Sequence, residues 1–217
     1  LFFSAFKDKS LGYELVRFAV SGWKAEPVVY DIYDGSPSSA PSDFTVSGNT
    51  LFFTADGGET GRELYKIDLT NPKFTPTLVR DIATDAYVGS NPADLTVVNG
   101  EVFFSADPGP RIRELWKSDG TPKGTVRVSA HGLATAKLTA YQGGLWFAGS
   151  DVPDVDPSKY EIWNSDGTLF GTRRLAESGL LNRNLQVGIL TDKGDGLVTG
   201  GDGSASAVTA QTVNLST

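Results

Sequence analysis

Apolar and polar residues alternate along much of this chain, in short runs that are separated by glycine and proline. Between Arg113 and Thr125, residues 114–117 alternate in character, as in a strand whose successive side chains point to opposite faces. β-Branched residues resume at Thr125, as expected for a returning strand. No part of this pattern has the period of an amphipathic helix. The pattern therefore predicts an all-β fold of short antiparallel strands.

The stretch from Arg113 to Thr125, RELWKSDGTPKGT, recurs along the chain. A close copy runs from Tyr160 to Thr172, and shorter copies begin at Arg62 and Tyr13. A fixed period of roughly 40 to 50 residues is typical of propellers and related arrays. The glutamate of this phrase recurs at spacings of 49, 51 and 47 residues, as Glu14, Glu63, Glu114 and Glu161.

Each repeat contains four short strands, which in the third repeat read DLTVV, EVFFSAD, RELWKSD and TVRVSA. Such a unit is a four-stranded antiparallel meander, the blade of a β-propeller. Asp119-Gly120 predicts a two-residue hairpin turn, because both residues tolerate positive φ. Residue 1 already lies in the second strand of a blade, so we expect the first strand of that blade to come from upstream residues or from the C-terminal tail. We predict one β-propeller-like array or propeller fragment over 1–217, with four clear repeats and a degenerate fifth, at approximately 1–42, 43–92, 93–136, 137–183 and 184–217.

The phrases ELWKSDGTPKGT and EVFFSAD resemble the ELWxxDGTxxGT repeat family of large exported or surface-associated bacterial proteins. The signature is complete at Trp116–Thr125 and Trp163–Thr172. It is eroded in the first two repeats, where Val16 and Tyr65 replace the tryptophan. The resemblance covers approximately residues 1–180. It implies a β-propeller-like array in an extracellular or adhesin-like module, with no enzymatic activity belonging to the repeat itself.

Charge and composition exclude several classes of function. The net charge is −7 and the basic residues are scattered, so we expect no nucleic-acid partner, because phosphate binding depends on clustered lysine and arginine. No run approaches the about 18 apolar residues of a membrane-spanning helix, and we expect no transmembrane segment. The absence of cysteine excludes disulfides. We find no signal peptide and interpret the chain as part of a longer bacterial protein, secreted or on the cell surface, alternatively periplasmic.

Four aromatic residues are candidate binding residues. Tyr65, Trp116 and Trp163 stand at the same point of three repeats, and an aromatic face suits the C–H face of a sugar ring. Their recurrence also suits packing between blades, which is the simpler interpretation for these three. Trp23 lies outside the phrase in a loop-like stretch and is the better candidate for an exposed contact.

The densest acidic cluster is Asp151, Asp154 and Asp156, and hard oxygen ligands of this kind suit Ca²⁺. Their spacing matches no EF-hand loop, and a solvated acidic loop is the alternative. The sequence GGDG at 200–203 is similar to one turn of a Ca²⁺-binding nonapeptide repeat. Calcium is therefore the one candidate cofactor.

The repeated glutamates stand in four different blades, whereas general acid–base catalysis needs carboxylates that converge on one bond. We interpret them as structural acceptors, either for turn N–H groups or for basic neighbours such as Arg62 and Arg113. The single histidine, His131, has no nucleophile motif beside it. We expect no enzymatic activity, and a propeller-type glycosidase is the less favoured alternative.

These features favour a non-catalytic binding or assembly module that contacts other protein chains or a surface polysaccharide. Its working surface is expected at the blade loops, because rigid sheets that hold variable loops suit recognition. The alternative within binding is a multivalent lectin with one shallow sugar site per blade.

Overall fold

The computed structural model describes residues 1–21, 24–85, 88–109, 113–130, 132–151, 160–175, 186–187 and 199–200. Within these ranges the secondary structure is entirely β, and no helix occurs that is long and apolar enough to cross a membrane. The strands are β1 (Phe2–Phe6), β2 (Tyr13–Ser21), β3 (Lys24–Tyr30), β4 (Ser42–Ser47), β5 (Thr50–Asp56), β6 (Arg62–Asp68), β7 (Thr77–Arg80), β8 (Ala93–Val98), β9 (Glu101–Ala106), β10 (Glu114–Ser118), β11 (Val126–Arg127), β12 (Ala134–Tyr141), β13 (Gly144–Ser150), β14 (Glu161–Ser165), β15 (Arg173–Arg174), β16 (Gln186–Val187) and β17 (Thr199–Gly200).

The strands form four antiparallel meanders in which consecutive strands pair, together with the short pair β16–β17. Sheet 1 consists of β1–β3, sheet 2 of β4–β7, sheet 3 of β8–β11 and sheet 4 of β12–β15. The predicted all-β class and the four-stranded meanders of the second to fourth repeats are confirmed. Sheet 1 has three strands and begins at the equivalent of a second strand, as predicted.

The hydrophobic cores lie between neighbouring sheets. Phe52 of sheet 2 shares a buried cluster with Phe104 of sheet 3, and Phe103 of sheet 3 shares another with Phe147 of sheet 4. Phe53 points the other way, into a cluster with Leu15 of sheet 1. Adjacent phenylalanines are thus buried on opposite faces of one strand, because each sheet packs against both the preceding and the following sheet.

The first strands of sheets 2, 3 and 4 run side by side, with β8 next to both β4 and β12. Thr45 Oγ1 donates to Leu95 O at 3.5 Å, and Thr96 Oγ1 donates to Leu138 O at 3.3 Å. Each of these strands also has a register shift that marks a β-bulge. The bulge residue has positive φ in all three, at Asp43 (55°), Asp94 (59°) and Lys137 (58°).

The prediction of a two-residue hairpin turn at Asp119-Gly120 is wrong. Strand β10 ends at Ser118 and β11 begins at Val126, so residues 119–125 form the connection. Of the two predicted turn residues only Gly120 has positive φ, 88°. Asp119 Oδ1 instead accepts hydrogen bonds from Thr121 N at 2.8 Å and Thr121 Oγ1 at 2.7 Å, which closes a local side-chain turn.

Candidate functional site

The repeated glutamates occupy the junctions between sheets. Glu14, Glu63 and Glu114 are fully or almost fully buried on the third strand of their repeat. Each lies opposite an alanine of the second strand, Ala5, Ala55 or Ala106. The small alanine side chain leaves room for the carboxylate to turn towards the segment that leads to the next sheet.

Two of these junctions use the same serine contact. Glu63 accepts hydrogen bonds from Ser90 N at 2.7 Å, from Ser90 Oγ at 2.5 Å and from Ala83 N at 3.3 Å. Glu14 accepts equivalent bonds from Ser39 N at 2.8 Å and Ser39 Oγ at 2.5 Å. Each serine stands two residues before a proline, in Ser39-Ala-Pro and Ser90-Asn-Pro, and this recurrence is the sequence signal that could have revealed the contact.

The third junction uses a cation instead of a serine. Glu114 accepts from Gly132 N at 2.9 Å and forms an ion pair with Arg127 at 3.1 Å. In sheet 4, Glu161 is more exposed and pairs with Arg174 at 2.9 Å. The interpretation of the repeated glutamates as structural acceptors is therefore confirmed.

The basic partners proposed from the sequence, Arg62 and Arg113, are wrong. Arg62 Nη2 donates to Ala40 O at 2.7 Å, and Arg113 Nη2 donates to Asn91 O and Ser105 O. Each guanidinium group therefore bonds a backbone carbonyl of the connection before its sheet, and Arg113 also bonds Ser105 O of β9. Each arginine directly precedes its glutamate in the sequence, but adjacent residues of an extended chain point to opposite faces and so do not pair.

Burial has a large effect on the ionisation of Glu63. Burial raises the pKa of Glu63 to about 7, against the lowering effect of hydrogen bonds from Ser90, Ala83 and Ile82. Desolvation disfavours the ionised carboxylate, and the hydrogen bonds only partly compensate.

The candidate sugar platforms lie between sheets. Trp116 is 8% exposed and packs with Phe52, Leu64 and Val79 of sheet 2, with Arg80 above its ring at 5.8 Å. Tyr65 is equally buried and belongs to the cluster that contains Leu15 of sheet 1. With 8% of each side chain exposed, neither ring offers a free face to a ligand.

Trp163 is half-buried and stacks on Phe147, with ring centroids 6.3 Å apart. It packs against the cluster between sheets 3 and 4. The indole N–H groups of Trp116 and Trp163 are buried without a hydrogen-bond partner. Both indoles thus serve as apolar packing groups here. The fourth candidate, Trp23, lies outside the described residues.

The turns with the sequence DGTxxGT also belong to the contacts between sheets. Gly120 lies over Phe52 of the preceding sheet, where a Cβ atom would stand 3.3 Å from Phe52 Cζ. Lys66 Nζ donates to Gly120 O at 2.6 Å. In the next repeat a Cβ atom on Gly167 would stand 3.0 Å from Phe103 Cζ. The glycine of each turn therefore permits close approach to the neighbouring sheet, a role that the sequence pattern did not indicate.

The aspartates of these turns are held as anions by their own loops. The Thr121 hydroxyl and amide groups lower the pKa of Asp119, and those of Thr168 lower the pKa of Asp166. Both carboxylates face solvent and bond within the turn. Their part in the fold is to fix the turn that covers the preceding phenylalanine.

The calcium hypothesis stays a prediction. Asp151 is exposed at the end of β13, and Asp154 and Asp156 lie outside the described residues, as do His131 and residues 201–203. In the part of the chain that the structure describes, no group of three or more acidic or histidine side chains is arranged to hold a metal ion.

Two exposed apolar features escaped the sequence analysis. Leu169 and Phe170 stand at the tip of the fourth-repeat turn, 52% and 89% exposed. Phe6 and Tyr13 form an exposed aromatic pair at one end of sheet 1, with ring centroids 5.4 Å apart. The equivalent of the Leu-Phe tip in the third repeat is Pro122-Lys123. Comparison of these two tips would have revealed the apolar one.

No protein-family model matches the chain, and no curated protein matches it significantly. The resemblance to the ELWxxDGTxxGT repeats rests on the motif residues themselves, at 116–125 and 163–172.

Proposed function

We propose that this chain is a non-catalytic binding and assembly module of an exported, cell-surface or periplasmic bacterial protein, and that it contacts other protein chains through its turns. The buried glutamates support the non-catalytic part of the proposal. Their carboxylate oxygens are occupied by backbone N–H groups, a serine hydroxyl or an arginine, and Glu14, Glu63 and Glu114 each belong to a different sheet.

We further propose that the sheets are blades of a propeller or of an open propeller fragment. Two observations support this arrangement. Successive sheets pack face to face through apolar clusters, and the first strands β4, β8 and β12 follow one another side by side. In a propeller the first strand of each blade lies nearest the central axis, which brings these strands together.

The apolar tip at Leu169-Phe170 is the observation that carries the binding proposal. Two hydrogen bonds hold its turn, since Gly171 N donates to Thr168 Oγ1 at 2.9 Å and Arg173 Nε donates to Phe170 O at 3.1 Å. A phenylalanine that is 89% exposed on a fixed turn gains from burial only when another molecule covers it. A turn held by its own hydrogen bonds also limits the entropy lost on binding.

Site-specific photo-crosslinking in the native assembly tests the proposal. A photoreactive side chain at position 170 is expected to crosslink to another protein chain, and the same group at position 123 is the matched control on the equivalent turn. Equal crosslinking from both positions, or none from position 170, contradicts a protein-binding role for this tip.

The lectin alternative is favoured by one observation, the exposed Phe6–Tyr13 pair. Sugar rings stack on exposed aromatic rings. Phe6 and Tyr13 are exposed, whereas Tyr65 and Trp116 are buried. A glycan array with the wild-type chain and with Tyr13→Ala decides this alternative. Binding that the substitution abolishes would favour the lectin over the assembly module.

A further inference from the structure

The connection between sheets 2 and 3 is folded around one buried carboxylate. Glu63 holds both ends of this connection, since it accepts from Ala83 N near the start and from Ser90 N and Oγ near the end. Ala83 and Ser90 are themselves buried. Glu63 therefore bonds both described parts of this connection, residues 81–85 and 88–91, which together we call the strap.

The strap also ties the two sheets together through its backbone. Asn91 N donates to Arg62 O at 3.0 Å, and Asp107 N, directly after β9, donates to Ser90 O at 2.8 Å. Ser90 thus bonds the third strand of sheet 2 with its side chain and amide, and the residue that follows the second strand of sheet 3 with its carbonyl. Release of Ser90 from Glu63 would loosen the link between the sheets.

Glu63 lacks the cation that its counterpart has. Arg127, which pairs with Glu114, stands opposite Trp116 in the strand register, and Leu78 stands opposite Tyr65 at the equivalent point of sheet 2. None of the described basic groups forms an ion pair with Glu63. The two arginines of sheet 2 nearest in sequence bond elsewhere, Arg62 to Ala40 O and Arg80 to Thr125 O.

The other titratable groups around this junction are acidic or neutral. Burial raises the pKa of Tyr65, a hydrogen bond with Thr60 lowers it, and the charges of Asp56, Glu63 and Asp81 raise it further. These three carboxylates thus act on one hydroxyl group. Asp81 Oδ1, at the start of the strap, is buried without a hydrogen-bond partner. An ionised Glu63 therefore adds negative charge where the described groups supply no compensating cation.

We propose that Glu63 makes the strap pH-sensitive: the strap is closed while the Glu63 carboxyl group is protonated, and it opens increasingly often once that group ionises. The closed strap keeps the carboxylate away from water, whereas an open strap lets water solvate it. Ionisation is therefore easier in the open state, and by linkage a rise in pH favours opening.

The raised pKa of Glu63, about 7, supports this direction. A group whose pKa is raised in the closed state binds more protons there, so closure is favoured at acid pH and weakens as the pH rises through neutrality. If opening restores full solvation, the opening constant increases on the order of 50-fold between about pH 5 and about pH 8.

Amide hydrogen exchange measured by NMR at these two pH values tests the proposal. After correction for the intrinsic exchange rate, the protection of Ala83 and Ser90 is expected to fall on the order of 50-fold at the higher pH. Gly132 N, which bonds Glu114 beside Arg127, is the internal control and is expected to keep its protection. Unchanged protection at Ala83 and Ser90, or an equal loss at Gly132, overturns the proposal.

Two variants assign the effect to Glu63. Glu63→Gln removes the titrating group and is expected to abolish the pH dependence at Ser90, whereas a wild-type pH dependence in this variant contradicts the proposal. Leu78→Arg places a cation at the register position of Arg127 and is expected to reduce the pH-dependent loss several-fold. Should Glu63→Gln fail to fold, Leu78→Arg decides, because an unchanged loss in that variant overturns the proposal.

Discussion

The contact between sheets 2 and 3 and the contact between sheets 3 and 4 use equivalent residues but are stabilised differently. In the first, Trp116 is buried, Lys66 bonds the carbonyl of Gly120 and Glu63 bonds a serine. In the second, Trp163 is half-buried, and Lys117 and Glu114 pair with Glu101 and Arg127 of their own sheet 3. Equivalent positions of the repeat thus make different side-chain interactions.

This difference shows what the repeat requires and what it tolerates. Both contacts need an aromatic residue at the Trp116 position, a glycine over the preceding phenylalanine and a buried acceptor at the glutamate position. The donor to that acceptor is free to change, since a hydroxyl group and a guanidinium group both satisfy a carboxylate. A neutral donor leaves the charge uncompensated, which is why the two junctions are expected to respond differently to substitution and to pH.

The largest difference is expected from the two tryptophans. Trp116→Ala should lower the free energy of unfolding by about 3 to 5 kcal/mol, because it removes a buried indole and leaves a cavity. Trp163→Ala should lower it by roughly half as much, because a half-buried ring loses less contact with protein. Urea unfolding followed by circular dichroism measures both. Equal losses would mean that the two contacts are packed alike.

Next in size is the loss of charge at the two glutamates. At about pH 8, Glu114→Gln should reduce the unfolding free energy by about 2 kcal/mol, because Arg127 loses its charged partner. Glu63→Gln should reduce it by less than about 1 kcal/mol, because the same change also removes an ionised group that burial disfavours. Chemical unfolding of both variants at one pH makes the comparison. A larger loss for Glu63→Gln would show that its hydrogen bonds outweigh the desolvation.

Alanine substitutions at three turn glycines should distinguish the cost of backbone strain from the cost of a steric contact with the neighbouring sheet. Gly100, Gly120 and Gly167 have nearly equal positive φ, at 87°, 88° and 87°. Gly100→Ala should reduce stability by about 1 kcal/mol from strain alone, because nothing lies within 4 Å of its Cβ position. Gly167→Ala should reduce it by about 2 kcal/mol, because the new methyl group also meets Phe103. Gly120→Ala should fall between them. Equal losses at all three would remove the evidence for tight packing of the turns.

The smallest difference is expected from the lysines. Lys117→Gln breaks a partly exposed ion pair with Glu101 and should change stability by less than about 0.5 kcal/mol, less still at high salt. Lys66→Gln removes the bond to Gly120 O and should reduce stability by about 1 kcal/mol. Thermal melts at low and high salt distinguish the two. A strong salt dependence of the Lys66 variant relative to wild type would contradict a hydrogen-bond role.

Much of the local architecture could be predicted. The alternation around Trp116 and the recurring glutamates indicated antiparallel meanders and their boundaries, because strand period and turn chemistry are local properties. The burial of Phe103 and Phe104 on opposite faces is a consequence of the same strand period in a sheet that is covered on both faces. The two-residue turn predicted at Asp119-Gly120 is wrong, because Thr121 donates two hydrogen bonds to the Asp119 carboxylate. These bonds favour a longer loop that begins with the same dipeptide.

The candidate site was less accessible to the same reasoning. Glu63 and Ser90 are far apart in sequence, and nothing in either residue alone indicates that they bond. Arg127, rather than the adjacent Arg113, pairs with Glu114 because β11 brings it to the same face of sheet 3. The exposure of Phe170 depends on how its turn packs against sheet 3. No local sequence pattern specifies that packing.

By itself the sequence determined the class of the fold and the strands of each repeat, since these depend on periodicity and on turn residues that are local along the chain. Only the tertiary structure decided which donor serves each glutamate, which aromatic rings are covered and which apolar tip stays in solvent. The physical reason is that burial and pairing arise between strands and where successive sheets meet, and these contacts join residues that are 13 to 54 positions apart in sequence.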